Sequence, residues 1–408
     1  MSTADSTHFF ASLQEIFSKL SSSSLRDKAW DHFLELGLPD KSADAFKYVP
    51  LKRLYDIKLS IKTAVVSKEM IEPYILPEAL ESYIVFANGR FCKELSKLPS
   101  KLVILPMQEA LKTYGPFLQG RLTKSIKDET DPFAVLNLAL QQEGVFCYLP
   151  PKQQLETPLQ IIHMGPGASF YHPARLNFFC SSESELKTIS TIIGDGVHHI
   201  SMDVALEEQA SYSHVQTSKG EIVLSDFRAT LKSNATLKYL ALTTSGSLNR
   251  NRLKVALLGD NASALLQGLW SLSENHQCHT NVHVEHVSPN CHSLQKFKGV
   301  LKGHSQSSFE GKIYVHPEAQ KTEAYQLNHN LLLSDAAVAN AKPNLEIFAD
   351  DVKASHGATM SEVDEEQLFY LRSRGLTKES ARTLLIRGFI QEMLDQIPYA
   401  SVRDGFRF

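Results

Sequence analysis

The chain has 408 residues, 43% hydrophobic and 21% charged, and its 42 basic and 45 acidic side chains leave a net charge of -3. That length suggests two or three domains and ample material for a core. Near-neutrality gives no electrostatic reason to expect a nucleic acid or an anionic membrane as main partner, and no apolar run approaches the ~20 residues of a membrane helix.

The first residues, MSTADSTHFFASLQEIFSKL, show no basic segment ahead of an apolar core and carry Asp5 and Glu15. They fit neither a secretory signal nor a transit peptide, so a cytoplasmic location is expected. The cysteines (Cys92, Cys147, Cys180, Cys278 and Cys291) are scattered without a CxxC pair and are odd in number. This argues for a reducing compartment and for small buried apolar roles.

Phe9, Phe10, Leu13, Ile16, Phe17 and Leu20 recur at helical spacing, and Ala29, Phe33, Leu34 and Leu36 continue it to Gly37. Ser21 to Ser24 breaks this country into two helices, and AFKYVPLKRLY completes an N-terminal helical unit near Asp56. YIVFANGRF, from Tyr83 to Phe91, reads as strands turning at Asn88-Gly89, a strong hairpin signal. Leu102 to Leu105 is a further strand, Lys124 to Asp131 a polar loop, PFAVLNLALQQEG a helix closed by Gly144, and Val145 to Leu149 a strand again. From about Pro158 to Val315 the pattern is short strands, broken at Gly194-Asp195-Gly196, Lys219-Gly220, Ser233-Asn234, Ser245-Gly246 and Gly259-Asp260-Asn261. Such spacing suits a β-sandwich or a solenoid, and local periodicity does not choose between them.

The stretch from Pro343 to Gly375 concentrates the chemistry. Leu345, Ile347 and Ala349 alternate with Glu346, Phe348 and Asp350 as in a strand with one buried face. Asp350, Asp351, Lys353, Ser355 and His356 follow, and Gly357 would allow a sharp backbone change holding His356 at the strand's exposed end. Ser361 and Asp364 suggest a capping box for a helix ended by Gly375. Beyond it, Ala381, Leu384, Leu385, Phe389, Ile390, Met393, Leu394 and Ile397 form an apolar stripe.

Other constellations favour plain structural roles. In HQCHTNVHVEHVSPNCH the residues His276, Cys278, His279, His283, His286, Cys291 and His292 tempt a zinc reading, yet His283 and His286 fall on opposite faces of an extended strand and no zinc spacing is present. Exposed strand histidines with a structural cysteine are expected there. His198-His199 should place one ring in and one out. Gly165-Pro166-Gly167 lacks the lysine and helix of a phosphate loop, and no GxSxG elbow occurs. His356 differs in context, because an imidazole among polar neighbours at a strand-to-helix junction can bind a borderline metal or carry a proton.

QLNHNLLLSDAAVANAKPNLEIFADDVKASHGATMSEVDEEQLFYLRSRGL, from Gln326 to Leu376, resembles the C-terminal core of the SufB/SufD family of iron-sulfur cluster assembly scaffolds. Weaker similarity reaches upstream through Phe309 to Ile313, Glu285-His286, Asn249 to Asn251 and LGLP at Leu36 to Pro39, so it covers the chain. The modest length, short N-terminal region and missing N-terminal cysteine motif look like SufD rather than SufB. The resemblance implies a mainly β protein: a right-handed parallel β-helix core over 158–360, an N-terminal helical domain over 1–80, a mixed α/β connection over 81–157 and a C-terminal helical domain over 361–408. It also implies a non-catalytic scaffold paired with a SufB-like paralogue and a SufC-like ABC ATPase, with a homodimer possible in isolation. His356 matches the family's position for a contribution to a transient iron-sulfur cluster shared with the partner. Ala354 stands where relatives commonly carry Cys, so sulfur ligands would come from that partner. Leu385 and Phe389 are expected at the ATPase interface. The rival classes are a β-helix carbohydrate-active enzyme, which would need a ladder of acidic residues that the strands lack, and a self-associating structural module.

Overall fold

The computed structural model describes residues 3–61 and 64–406. Helices α1 (Thr3–Ser18) and α2 (Ser24–Leu36) come first, and the Ser23 hydroxyl caps α2 by accepting from Arg26 N–H. Short α3 (Leu51–Tyr55) and α4 (Lys68–Ile71) lead to β1 (Tyr83–Ala87) and β2 (Arg90–Lys97), an antiparallel hairpin. Its turn residues Asn88 and Gly89 have φ of 53° and 78°. Gly89 is also required sterically, since a Cβ there would lie 2.7 Å from the Pro173 carbonyl oxygen.

After β3 (Val103–Pro106) come α5 (Met107–Thr113), α6 (Gly115–Lys127) and α7 (Pro132–Leu140). The polar loop expected from Lys124 is therefore helical as far as Lys127. The helix expected to run to Gly144 stops at Leu140, where Gln141 leaves the helical conformation. Strands β4 (Val145–Leu149), β5 (Leu159–Met164) and β6 (Tyr171–Cys180) then start a parallel stack.

The long strands β7 (Glu185–Leu206) and β8 (Ser211–Leu231) each run over two faces of that stack. Gly194-Asp195-Gly196 and Lys219-Gly220 are thus bends within strands rather than turns between them, with a register shift between Gly194 and Val197. From there the strands alternate between faces. One face holds β10 (Leu248–Leu257), β12 (Gln277–His286), β14 (Gln306–Val315) and β16 (Val338–Ile347). The other holds β9 (Thr236–Thr243), β11 (Ser263–Leu272), β13 (His292–Leu301), β15 (Thr322–Leu332) and β17 (Val352–Ser361). All of these pairings are parallel, giving a β-solenoid of about seven turns.

One corner of the solenoid repeats a single device. Glu183, Gln209, Asn234, Asn261, Asn290 and Lys321 have φ between 58° and 60°, and each donates its N–H to a carbonyl of the following coil. Inward side chains form one apolar column, among them Phe178, Tyr212, Phe227, Tyr239, Val255, Trp270 and Phe297. Both outer faces are covered as well. N-terminal helices bury Val197, Ile222, Leu224 and Leu248, and C-terminal helices bury Ile189, Val215, Leu240, Leu269 and Val300. His198 and His199 alternate in and out as expected, but both are 1% exposed: His198 packs inside beside His172, and His199, on the outer side, lies under Phe133 and meets the Tyr171 hydroxyl at 2.5 Å.

A buried ionic network ties the segment before α7 to the solenoid. Arg252 meets Glu129 at 2.6 Å and Asp226 at 2.7 Å, Arg228 meets Glu129 at 3.1 Å and Asp203 at 2.7 Å, and Arg175 meets Asp203 at 2.5 Å. Arg250 grips Asp131 at 2.5 Å, while Asp131 Oδ1 accepts from Phe133 and Ala134 N–H and caps α7. Burial alone would raise the Asp131 carboxyl, but Arg250 and Arg252 prevail and hold it at about 2, below its ordinary 3.8. A depressed folded-state value means that its contribution is full above the unfolded value and fades as pH falls through the folded one. The expected contribution is about 2 kcal/mol at neutral pH. Urea titrations from pH 6 down to pH 2 should therefore show a steeper acid loss in wild type than in Asp131→Asn, and parallel curves would contradict this.

Candidate functional site

The last coil is open. Strand β17 pairs with β15 and β16 pairs with β14, and their other edges have no strand partner among the described residues. Inward positions that another coil would seal stay partly open, as at Ala339, Ala341 and Ala354, while Val338, Phe348 and Met360 are 41%, 56% and 44% exposed.

His356 lies in the middle of β17, in register with Gln326, and is exposed. The expected placement needs correction here. Gly357 continues the strand without a positive φ, so His356 stands at the open end of the solenoid rather than at the end of its own strand. The helix does not follow directly either. Ser361 is the last residue of β17, and α8 (Glu365–Ser373) is capped by Asp364, whose Oδ1 accepts from Glu366 and Gln367 N–H at 2.9 and 3.0 Å. Around His356, Lys353 pairs with Glu323 at 3.0 Å and the Thr359 hydroxyl meets His329 at 2.8 Å.

This chain brings no closed ligand set to that site. Among the described residues no group of three His, Cys, Asp or Glu is placed to hold a metal. Cys278 and Cys291 are buried thiols pushed up to about 11 by burial, and Cys180 up to about 12, which keeps them protonated and unreactive. In the histidine-rich segment, His279 bonds Ser308 and Gln277, and His286 bonds Ser293. Burial holds His279 at about 3 and His286 at about 4. They are neutral structural groups, buried rather than exposed as expected, while His283 does lie on the opposite face from His286.

The second surface is C-terminal. Helices α9 (Lys378–Leu394) and α10 (Ala400–Gly405) pack on the solenoid through Ile386, Ile390, Met393, Leu394 and Val402. Arg382 donates to the Leu333 carbonyl at 2.7 Å, and Lys298 Nζ reaches the Phe389 carbonyl at 2.6 Å and sits 4.9 Å from its ring. Phe389 is therefore engaged with the solenoid, Leu385 is half-buried, and Leu384, expected within the buried stripe, is 50% exposed. The apolar side chains left to solvent are Phe369, Tyr370, Leu376 and Leu384, on α8, the turn after it and α9. Phe369-Tyr370 and Arg372-Ser373-Arg374, in α8 and at its C-terminal end, were legible as motif residues, but not as an exposed face.

Fold and site together define a parallel β-solenoid scaffold with an open terminal coil and helical layers on both outer faces. A family model described as the SUF system FeS cluster assembly, SufBD core domain, matches residues 152–389, and a SufBD protein N-terminal region model matches residues 3–161. An iron-sulfur cluster assembly SufBD family protein of Synechocystis is 28% identical, covering 94% of this chain and 89% of that protein. The iron-sulfur cluster assembly protein SufD of Escherichia coli is 28% identical over 89% of this chain and 86% of its own length, and a SufBD family protein of Mycobacterium leprae is 30% identical over 67% and 73%. The chain belongs to the SufBD family of iron-sulfur cluster assembly proteins.

Proposed function

We propose that this chain is a SufD-type, non-catalytic scaffold subunit that works in the cytoplasm with a SufB-type paralogue and a SufC-type ABC ATPase. In this reading the open coil meets the paralogue, His356 contributes one ligand to iron or to a nascent iron-sulfur cluster that is the cargo of the complex, and thiolates come from the partner. The observation that carries it is an exposed imidazole on the terminal strand, whose outer edge has no strand partner among the described residues, in a chain whose described thiols are buried or half-buried. A neutral imidazole suits iron of borderline softness. The exposed face of Phe369, Tyr370, Leu376 and Leu384 supports ATPase docking, with Leu385 at its margin and Phe389 acting through the fold beneath. The free edges of β16 and β17 would pair two copies when the chain is purified alone.

His356→Ala should leave the complex intact, judged by gel filtration, while cluster formed per complex falls at least about tenfold, since losing even an outer-shell partner of a metal ligand costs about that much. Undiminished cluster formation in that variant would remove His356 from the mechanism.

A further inference from the structure

The solenoid interior changes character toward its open end. In the middle coils the inward polar side chains bond one another among apolar neighbours such as Phe227 and Val255: Gln216 Nε2 donates to Asn251 Oδ1, Ser225 donates to Gln216 Oε1, and Ser218 donates to Asn249 Oδ1. In β13 and β15 the inward Gln295, Gln326, Asn328 and Asn330 are each no more than 1% exposed. Parallel register stacks Leu266, Gln295, Gln326 and His356 in one column, each separated from the next by the ~4.8 Å between strands.

A buried amide costs free energy unless both its ends are bonded. Gln326 meets half of that demand, because Nε2 donates to the Asn344 carbonyl across the interior at 3.5 Å while Oε1 is buried with no hydrogen-bond partner among the described residues. Below it, Gln295 has neither side-chain atom partnered. Above it, the inward neighbours of His356 on β17 are Ala354 and Ala358, which offer no competing donor. The His356 ring is the donor next in the column.

Resting on the reading of His356 as a ligand, we infer that Gln326 is its positioning residue. Gln326 Oε1 accepts one ring N–H, holds the imidazole in a single tautomer and leaves the lone pair of the opposite nitrogen for the metal. Ligating histidines commonly donate their second ring N–H to a carbonyl or carboxylate in this way. An amide oxygen has two lone pairs, so Gln295 Nε2 can donate to the same oxygen from below, and such chained bonds polarise one another.

The test is nitrogen NMR of the full chain with ring-labelled histidine, at a pH where the ring is neutral. His356 is assigned by the signal missing in His356→Ala. Wild type and Gln326→Glu, which keeps the oxygen, should show one dominant His356 tautomer, and Gln326→Leu should show a mixture together with a severalfold loss of iron(II) retained by the complex. A mixed tautomer in wild type overturns the inference, and so does an unchanged tautomer in Gln326→Leu. Gln326→Met supplies the same comparison if the leucine variant does not fold. Full assembly activity in His356→Ala would sink the ligand reading and leave the tautomer result standing, so the two failures are separable.

Discussion

Arg252→Ala is expected to destabilise the fold by about 3–5 kcal/mol, the range for leaving a buried ionic partner uncompensated. Arg252 is 7% exposed and bridges Glu129, before α7, to Asp226 on the solenoid. Without it, Arg228 is the one cation left to Glu129 and Asp226 among the described residues, and it already serves Asp203. The loss should appear as a lower urea midpoint, with the helices over the outer face of β6, β7 and β8 released first and detected by hydrogen exchange at α7. Adding Glu129→Gln to Arg252→Ala should restore part of the stability, because it removes one of the stranded charges. Strict additivity of the two losses would show that the groups are not coupled.

Much of the solenoid was legible because strand spacing and turn residues report local chemistry. Asn234 and Asn261 announce corners, since asparagine tolerates the left-handed region. Glu183, Gln209 and Lys321 occupy equivalent corners without any such signal. Their conformation is set by the ladder of N–H bonds to the next coil, a long-range effect that no local window contains. Gly194 and Gly220 misled in the opposite direction. Their backbones lie against Gly165 and against Val223 and His198, so glycine there permits close approach between coils rather than a turn.

The site divided along the same line. His356 and the absence of a thiol at Ala354 were legible as residues, because both lie inside the long stretch from Gln326 to Leu376 that resembles the family core. Their setting was not, because an inward position becomes an exposed one only where the stack stops, and a strand's alternation is the same in the fourth coil as in the last. The ionic network was invisible for a related reason: Glu129 and Arg252 are far apart in sequence, and no local window joins them. The helical cover likewise hid why the outward His199 is buried.

Ile390→Ala is expected to cost about 2–5 kcal/mol, since it opens a cavity where α9 meets the solenoid. Ile390 is fully buried there with Met393, Val300 and Leu269. Leu384→Glu, on the exposed side of the same helix, should change stability by no more than about 0.5 kcal/mol. The pair separates fold from docking. If the ATPase binds the face formed by Phe369, Tyr370, Leu376 and Leu384, then Leu384→Glu abolishes its co-purification at unchanged melting temperature, whereas Ile390→Ala lowers both. Phe389→Ala should behave like Ile390→Ala, because its ring covers Lys298 rather than facing a partner. Undiminished co-purification with Leu384→Glu would move the docking surface elsewhere.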